Sequence, residues 1–207
     1  MDEILKAAIA FESLFNIEYK IITGRKGKTT EFTIGFRKSD FFHLVGLQKL
    51  KDIDFPTKSK EKLFDLIITG KINDSFISKS KYYKSDDNNN YIGVKERLSY
   101  FCNIDKIMDS NNIIFKYNAN RNRWSEIKAE FVLENKDYKK IVYIFIDKDT
   151  TDNKRFCRSF FPKGKADFTA MNTKLTLLYK EKIDKTKRES IIQLDKISVK
   201  EDENYIN

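Results

Sequence analysis

Several residue types that build common functional sites are scarce in this chain of 207 residues. It has one histidine and two cysteines, and Cys102 and Cys157 match no metal-ligand spacing, so we expect buried free thiols and no zinc site. The seven glycines form neither a Walker A nor a dinucleotide-binding pattern, which argues against nucleotide-dependent chemistry. The acids show no paired-carboxylate spacing, which leaves a magnesium-dependent nuclease open but unsupported. We therefore predict neither a metal nor a cofactor.

Long apolar runs are also missing. No run approaches the ~18 residues that a membrane-spanning helix needs. The start of the chain is acidic and then amphipathic, which does not fit a signal peptide. We expect a cytoplasmic protein with no membrane contact.

Positive charge is abundant instead. Lysine and arginine number 40 against 31 acids, which gives a net charge of +9. This balance favours a polyanionic partner such as RNA or an acidic protein. The alternative is that the lysines serve solubility and reflect codon bias. A hydrophobic content of 40% with 14% aromatic residues predicts a packed interior.

Hydrophobic periodicity predicts an α+β domain with one main sheet, built mostly from a meander of antiparallel strands. Helices are predicted over residues 2–15, 59–69 and 91–108, with a shorter helix around His43 capped by Ser39 and Asp40. A hairpin with a basic tip precedes that short helix. The predicted later strands cover residues 113–117, 127–133, 141–146, 156–161, 169–179 and, as an edge, 190–194. Residues 180–188 are interpreted as a solvated face, 1–195 as a single domain and 196–207 as a flexible tail.

The only histidine, His43, lies in an amphipathic segment, residues 41–52, directly after the hairpin. The unperturbed pKa of imidazole lies near neutrality, so His43 is the obvious candidate for proton transfer.

This segment reads Phe-Phe-His-Leu-Val-Gly-Leu-Gln-Lys-Leu-Lys-Asp. Residues 95–98, Lys-Glu-Arg-Leu, and residues 156–161, Phe-Cys-Arg-Ser-Phe-Phe, add further agreement. Together they resemble the fourth group of phage-associated nuclease-like domains in the barnase–EndoU–colicin–RelE class, over residues 11–178. The resemblance implies helices packed on a curved antiparallel sheet, RNA cleavage without metal, and carriage by phages or other mobile elements. The class has no universal catalytic set, so membership predicts the surface better than the residues.

Metal-free RNA cleavage needs a base for the ribose 2′-hydroxyl, an acid for the leaving 5′-oxygen, and a donor for the charged phosphorane. From the blocks that carry the resemblance, we take His43 as base or acid, Arg97 as phosphate ligand and Ser159 as donor to a non-bridging oxygen. Each has a structural alternative. His43 packs and bonds to a backbone group, Arg97 pairs with a carboxylate such as Asp105, and Ser159 is a small sheet residue.

A second set of residues is predicted to bind nucleic acid through phosphate contacts and base stacking. Its members are Arg25, Lys26, Lys28, Arg121, Arg123, Trp124, Arg158 and Lys163. The alternative is that these turns and hairpin tips are charged for solubility alone.

Two functions of different classes follow. The first is a metal-independent endoribonuclease of a phage or mobile element. The second is a non-catalytic inhibitor from such an element that binds a host nuclease, for example a CRISPR effector, or its RNA. A third hypothesis is a structural domain of a larger mobile-element product. The sequence leaves the oligomeric state open.

Overall fold

The computed structural model describes residues 2–88, 90–122, 125–149 and 154–198. The predicted nucleic-acid ligands Arg123 and Trp124 lie outside the described residues, as do positions 199–207 of the predicted tail.

Short helices dominate the first half of the described chain. The α-helices are α1 (Glu3–Glu12), α2 (Lys38–Leu44), α3 (Lys60–Ile68), α4 (Asp74–Ile77), α5 (Val94–Phe101) and α6 (Ile104–Asp109). Two 3₁₀ turns, Leu47–Lys49 and Ala119–Arg121, join neighbouring elements. The first 3₁₀ turn follows α2 almost directly, so it extends the segment that carries His43.

Strands dominate the second half, and two further strands follow α1 in the first half. The strands of the described chain are β1 (Ile17–Arg25), β2 (Lys28–Gly35), β3 (Ile113–Lys116), β4 (Phe131–Asn135), β5 (Val142–Lys148), β6 (Arg155–Pro162), β7 (Thr173–Asp184) and β8 (Glu189–Asp195). Their order is β1-β2-β6-β5-β4-β3-β7-β8, and an additional β1–β7 pairing closes seven of them into a ring. Only the short β2–β6 pairing is parallel among the described ladders. The predicted α+β fold with a curved, mainly antiparallel sheet is confirmed, and the hairpin β1–β2 is part of that sheet.

The apolar core lies on both faces of β5. Val142, Ile144 and Ile146 pack with the helices in the larger core, whereas Tyr143 and Phe145 pack in a smaller one on the other face. A strand covered on both faces reads as a continuous apolar run, as the sequence of β5 does. The helices therefore sit against one face of the sheet, with α2 and α5 over β6.

Some predicted boundaries are wrong. The predicted helix 91–108 is two helices, because the backbone leaves the helical conformation at Asn103, a residue that favours non-helical backbone. The cap of α2 is Arg37 rather than Ser39 or Asp40, and the Asp40 carboxylate accepts from the Arg37 backbone N–H at 3.2 Å. Lys180, in the predicted solvated face, is 2% exposed.

The predicted strand 127–133 begins only at Phe131. Residues 125–130 contain no assigned helix or strand, although their apolar and polar residues alternate. This difference matters for the functional site, because residues 126–128 line a cavity instead of extending the sheet.

Candidate active site in a basic cavity

A cavity of about 490 Å³ lies between α2, the first 3₁₀ turn, α5, β6 and residues 126–128. We call it the basic cavity. Its basic lining residues are His43, Lys49, Lys51, Arg97, Lys128 and Arg158, and its acidic ones are Asp40 and Glu126. Asp40 is already neutralised by Arg37, whose Nη2 lies 3.2 Å from its Oδ1. The cavity is therefore suited to an anion.

His43 occupies the last turn of α2 and is half-buried. Its ring stands edge-on to Phe42, with centroids 5.5 Å apart. Within the described part of the chain the imidazole makes no hydrogen bond, while the backbone oxygen of His43 accepts one from Gln48 Nε2 at 3.3 Å. Burial lowers the pKa of His43 below its usual value, and the charges of Lys60 and Arg158 lower it further. The ring is therefore held mostly neutral near pH 7 and is free to accept a proton.

Arg97 lies on the buried side of α5 and is 5% exposed. Its Nε donates to the Ile92 carbonyl at 3.3 Å, and Nη1 donates to the Phe160 carbonyl at 2.8 Å. The guanidinium also lies over the Phe161 ring, 5.0 Å from its centroid. Burial lowers the pKa of Arg97 to about 10, although the nearby Tyr91 opposes this.

No described carboxylate pairs with Arg97, and its Nη2 makes no hydrogen bond to any described residue. Burying a cation without a counter-ion is costly, so such a group is a ready site for a bound anion. The alternative that Arg97 pairs with Asp105 has no support among the described contacts.

A bulge in β6 brings Arg158 and Ser159 to the cavity. Opposite β5, the register steps from Cys157 directly to Ser159, so Arg158 is an extra residue in the strand. Bulges re-aim side chains, and here both residues line the basic cavity. Arg158 Nε also donates to Asp147 at 2.6 Å, while Ser159 is half-buried and its hydroxyl makes no described hydrogen bond.

Lys49 is a cavity residue that the sequence analysis missed. It ends the first 3₁₀ turn, and its Nζ lies 4.9 Å from the centroid of the Tyr91 ring. Burial lowers the pKa of Lys49 to about 8; Arg97 lowers it too, and Glu126 opposes. In the sequence, Lys49 looks like one more solvent-facing lysine of an amphipathic segment, because its burial depends on Tyr91 and Arg97 far along the chain.

Gly46 shapes the wall that carries His43 and Lys49. Its φ of 84° is left-handed, which ends α2 and starts the 3₁₀ turn. A Cβ at this position would lie 2.9 Å from Cδ of Arg97. Only glycine therefore fits both the backbone conformation and the close approach of Arg97.

We expect Gly46→Ala to lower the free energy of unfolding by about 1–3 kcal/mol from backbone strain, with a further loss from the overlap with Arg97. Urea unfolding measures this loss in the free energy of unfolding. Gly70→Ala is the matched control, because Gly70 has a φ of 73° and a Cβ added there would meet nothing within 4 Å. Equal losses in the two variants would contradict close packing of Arg97 on Gly46.

The hairpin-tip candidates lie outside the basic cavity. Arg25, Lys26 and Lys28 are exposed around the turn between β1 and β2, where Lys26 and Gly27 have positive φ. Such a turn is typical of a tight hairpin, which accounts for the local sequence without a ligand.

The remaining described candidates also lie elsewhere. Arg121 is exposed and donates through Nη1 to the Met171 carbonyl at 3.2 Å. Lys163 pairs with Asp167 at 2.5 Å. Among the described candidates, the structure brings together His43, Arg97, Arg158 and Ser159 in one cavity, and leaves the hairpin tip, Arg121 and Lys163 outside it.

In the described ranges, no group of three or more histidine, cysteine, aspartate or glutamate side chains is arranged to hold a metal ion. None of the helices there is long and apolar enough to cross a membrane.

Comparison with curated proteins and with solved structures found no match in either set. A protein-family model does match, and it covers residues 3–196, nearly the whole chain. That span includes every element that builds the basic cavity. The chain belongs to the family described as phage-Barnase-EndoU-ColicinE5/D-RelE like nuclease 4.

Proposed function

We propose that this protein is an endoribonuclease that cleaves RNA without a metal ion, by attack of a ribose 2′-hydroxyl on the adjacent phosphate. The carrying observation is the convergence of His43, Arg97 and Ser159, from three separate elements, on one basic cavity. Family membership supports nuclease chemistry in general. The choice of RNA and of a metal-free route is implied by the family resemblance, and the side chains in the cavity are compatible with it.

Each residue has a role that its surroundings favour. His43, half-buried with no described hydrogen bond to its ring, transfers a proton. Arg97 offers its Nη2, which bonds to no described residue, to a phosphate oxygen, and its two carbonyl contacts fix the guanidinium in place. Ser159 donates to a non-bridging oxygen, and Arg158 adds positive charge at the same wall.

The test uses the purified protein, end-labelled RNA and excess EDTA. We expect cleavage that leaves a 2′,3′-cyclic phosphate, and loss of cleavage when the ribose at the mapped site is replaced by 2′-deoxyribose. His43→Ala is expected to slow cleavage by about 100- to 10,000-fold, as the loss of a proton-transfer group does. Asn111→Ala, a change of an exposed residue outside the basic cavity, is the control and should retain activity.

Two results would contradict the proposal. Cleavage that requires a divalent cation would exclude the metal-free route. Intact RNA in EDTA and in magnesium, together with stable capture of a host nuclease, would instead support the inhibitor hypothesis.

A further inference from the structure

A cleavage that proceeds through the 2′-hydroxyl moves two protons at different atoms. One leaves the 2′-oxygen as it attacks phosphorus, and one reaches the 5′-oxygen as its bond to phosphorus breaks. The chain has a single histidine, so a second titratable side chain has to complete the pair. The basic cavity offers few residues for that task.

Most of the other titratable side chains in the cavity already accept hydrogen bonds, are fully buried, or are exposed to solvent. Asp40 is buried and accepts three hydrogen bonds from Arg37, through its backbone N, Nε and Nη2. The Cys157 thiol is 3% exposed. The side chains of Lys51, Lys128 and Glu126 are exposed.

Lys49 differs from these residues. Its ammonium is half-buried against the Tyr91 ring, and no described carboxylate forms an ion pair with it. The charged and titratable groups around it are Arg97 from α5, Lys51 from its own segment, Glu126 from the opposite wall and Tyr91 below it. Two cations and partial burial make it easier for this ammonium to give up a proton.

The backbone holds Lys49 and His43 in one rigid turn. Gly46 N donates to the His43 carbonyl at 3.2 Å, and Lys49 N donates to the Gly46 carbonyl at 3.0 Å. Gln48 Nε2 closes the turn from the side by donating to the same His43 carbonyl. Arg97 packs behind Gly46, so the turn is fixed against α5. Both side chains line the basic cavity together with Arg97 and Ser159.

We infer that Lys49 is the general acid that protonates the leaving 5′-oxygen, while neutral His43 is the base that takes the proton of the 2′-hydroxyl. This inference rests on the proposed function. The O2′–H bond breaks as the O2′–phosphorus bond forms, and the phosphorus–O5′ bond breaks as the lysine proton moves to O5′. The products are a 2′,3′-cyclic phosphate and a 5′-hydroxyl. Proton exchange with water then restores neutral His43 and the Lys49 ammonium.

The experiment compares two RNA substrates that differ in one atom. After the wild-type cleavage site has been mapped, the 5′-oxygen of the scissile bond is replaced by sulfur, which leaves as a thiolate without needing a proton. We expect Lys49→Ala to cleave the oxygen substrate about 100- to 10,000-fold more slowly than wild type. On the sulfur substrate its rate should stay within about tenfold of wild type, whereas His43→Ala should remain slow on both.

Two further variants separate acid catalysis from charge. Lys49→Arg keeps the positive charge but holds its proton too tightly to donate it, so it should behave like Lys49→Ala. Lys71→Ala removes an exposed lysine that lies outside the basic cavity and should cleave both substrates at near wild-type rates. Thermal unfolding of each variant checks that the fold is retained.

The possible failures are distinct. Equal losses on the two substrates for Lys49→Ala, or full activity of Lys49→Arg, would show that Lys49 only binds phosphate and would overturn the inference alone. Wild-type protein that cleaves neither substrate would overturn the proposed function and the inference with it.

Discussion

Arg97→Met should lower kcat/KM for RNA cleavage by about 100- to 1,000-fold, the range seen when a buried donor to a developing negative charge is removed. Arg97 lines the basic cavity, and in the described part of the chain its Nη2 has no hydrogen-bond partner and its guanidinium no carboxylate partner. Loss of one phosphate contact should also lower the slope of log binding constant against log salt by about one unit. Binding of an uncleavable 2′-deoxy oligonucleotide at several salt concentrations measures this slope.

Two further variants serve as controls for this prediction: one changes an arginine outside the cavity, and the other keeps the positive charge at position 97. Arg121→Met removes an exposed arginine whose described hydrogen bond is to a backbone carbonyl, and it should leave both the rate and the salt slope close to wild type. Arg97→Lys keeps the charge but loses the planar fork that bonds Ile92 and Phe160, so an intermediate rate is expected. Wild-type cleavage by a correctly folded Arg97→Met protein would show that Arg97 only supports the fold.

A bell-shaped dependence of kcat/KM on pH is the second large effect we expect. The base form of His43 requires a pH above its pKa, which burial and two nearby cations lower from 6.5. The acid form of Lys49 requires a pH below its pKa of about 8. The rate should therefore be highest between these values and fall about tenfold per pH unit beyond either limb.

The variants assign each limb of the profile. His43→Ala should remove the acid limb, and Lys49→Arg should remove the alkaline limb near pH 8 from the activity that remains. Arg97→Met should move the alkaline limb to higher pH, because Arg97 helps to lower the pKa of Lys49. A rate that does not fall between about pH 8 and 10 would contradict the assignment of Lys49, and an acid limb that persists in His43→Ala would contradict the assignment of His43.

The sequence located part of the candidate site because its signals are local. His43 is the only histidine, and its segment carries the most specific part of the resemblance. Arg97 and Ser159 were selected from short blocks with the same resemblance, and all three residues do line one cavity. Whether they act in catalysis is a proposal that the experiments above test.

The residues that were missed depend on long-range packing. Lys49 becomes distinctive only because Tyr91 and Arg97 lie beneath it. Residues 126–128 alternate like a strand but line the cavity, since the ladder with β5 begins at Phe131. The bulge at Arg158 likewise depends on how β6 pairs with β5. The sequence of β6 alone does not predict a bulge at this position.

The amino-acid sequence by itself determined the α+β class, the buried central strand β5, the positive charge and the segment around His43. These follow from periodicity, composition and neighbouring residues, which are properties of the local chain. Only the tertiary structure decided that Arg97 is buried without a described counter-ion and that Lys49 is partly desolvated beside it. Burial and charge coupling arise between residues that are distant in sequence, and they set the chemistry proposed for the cavity.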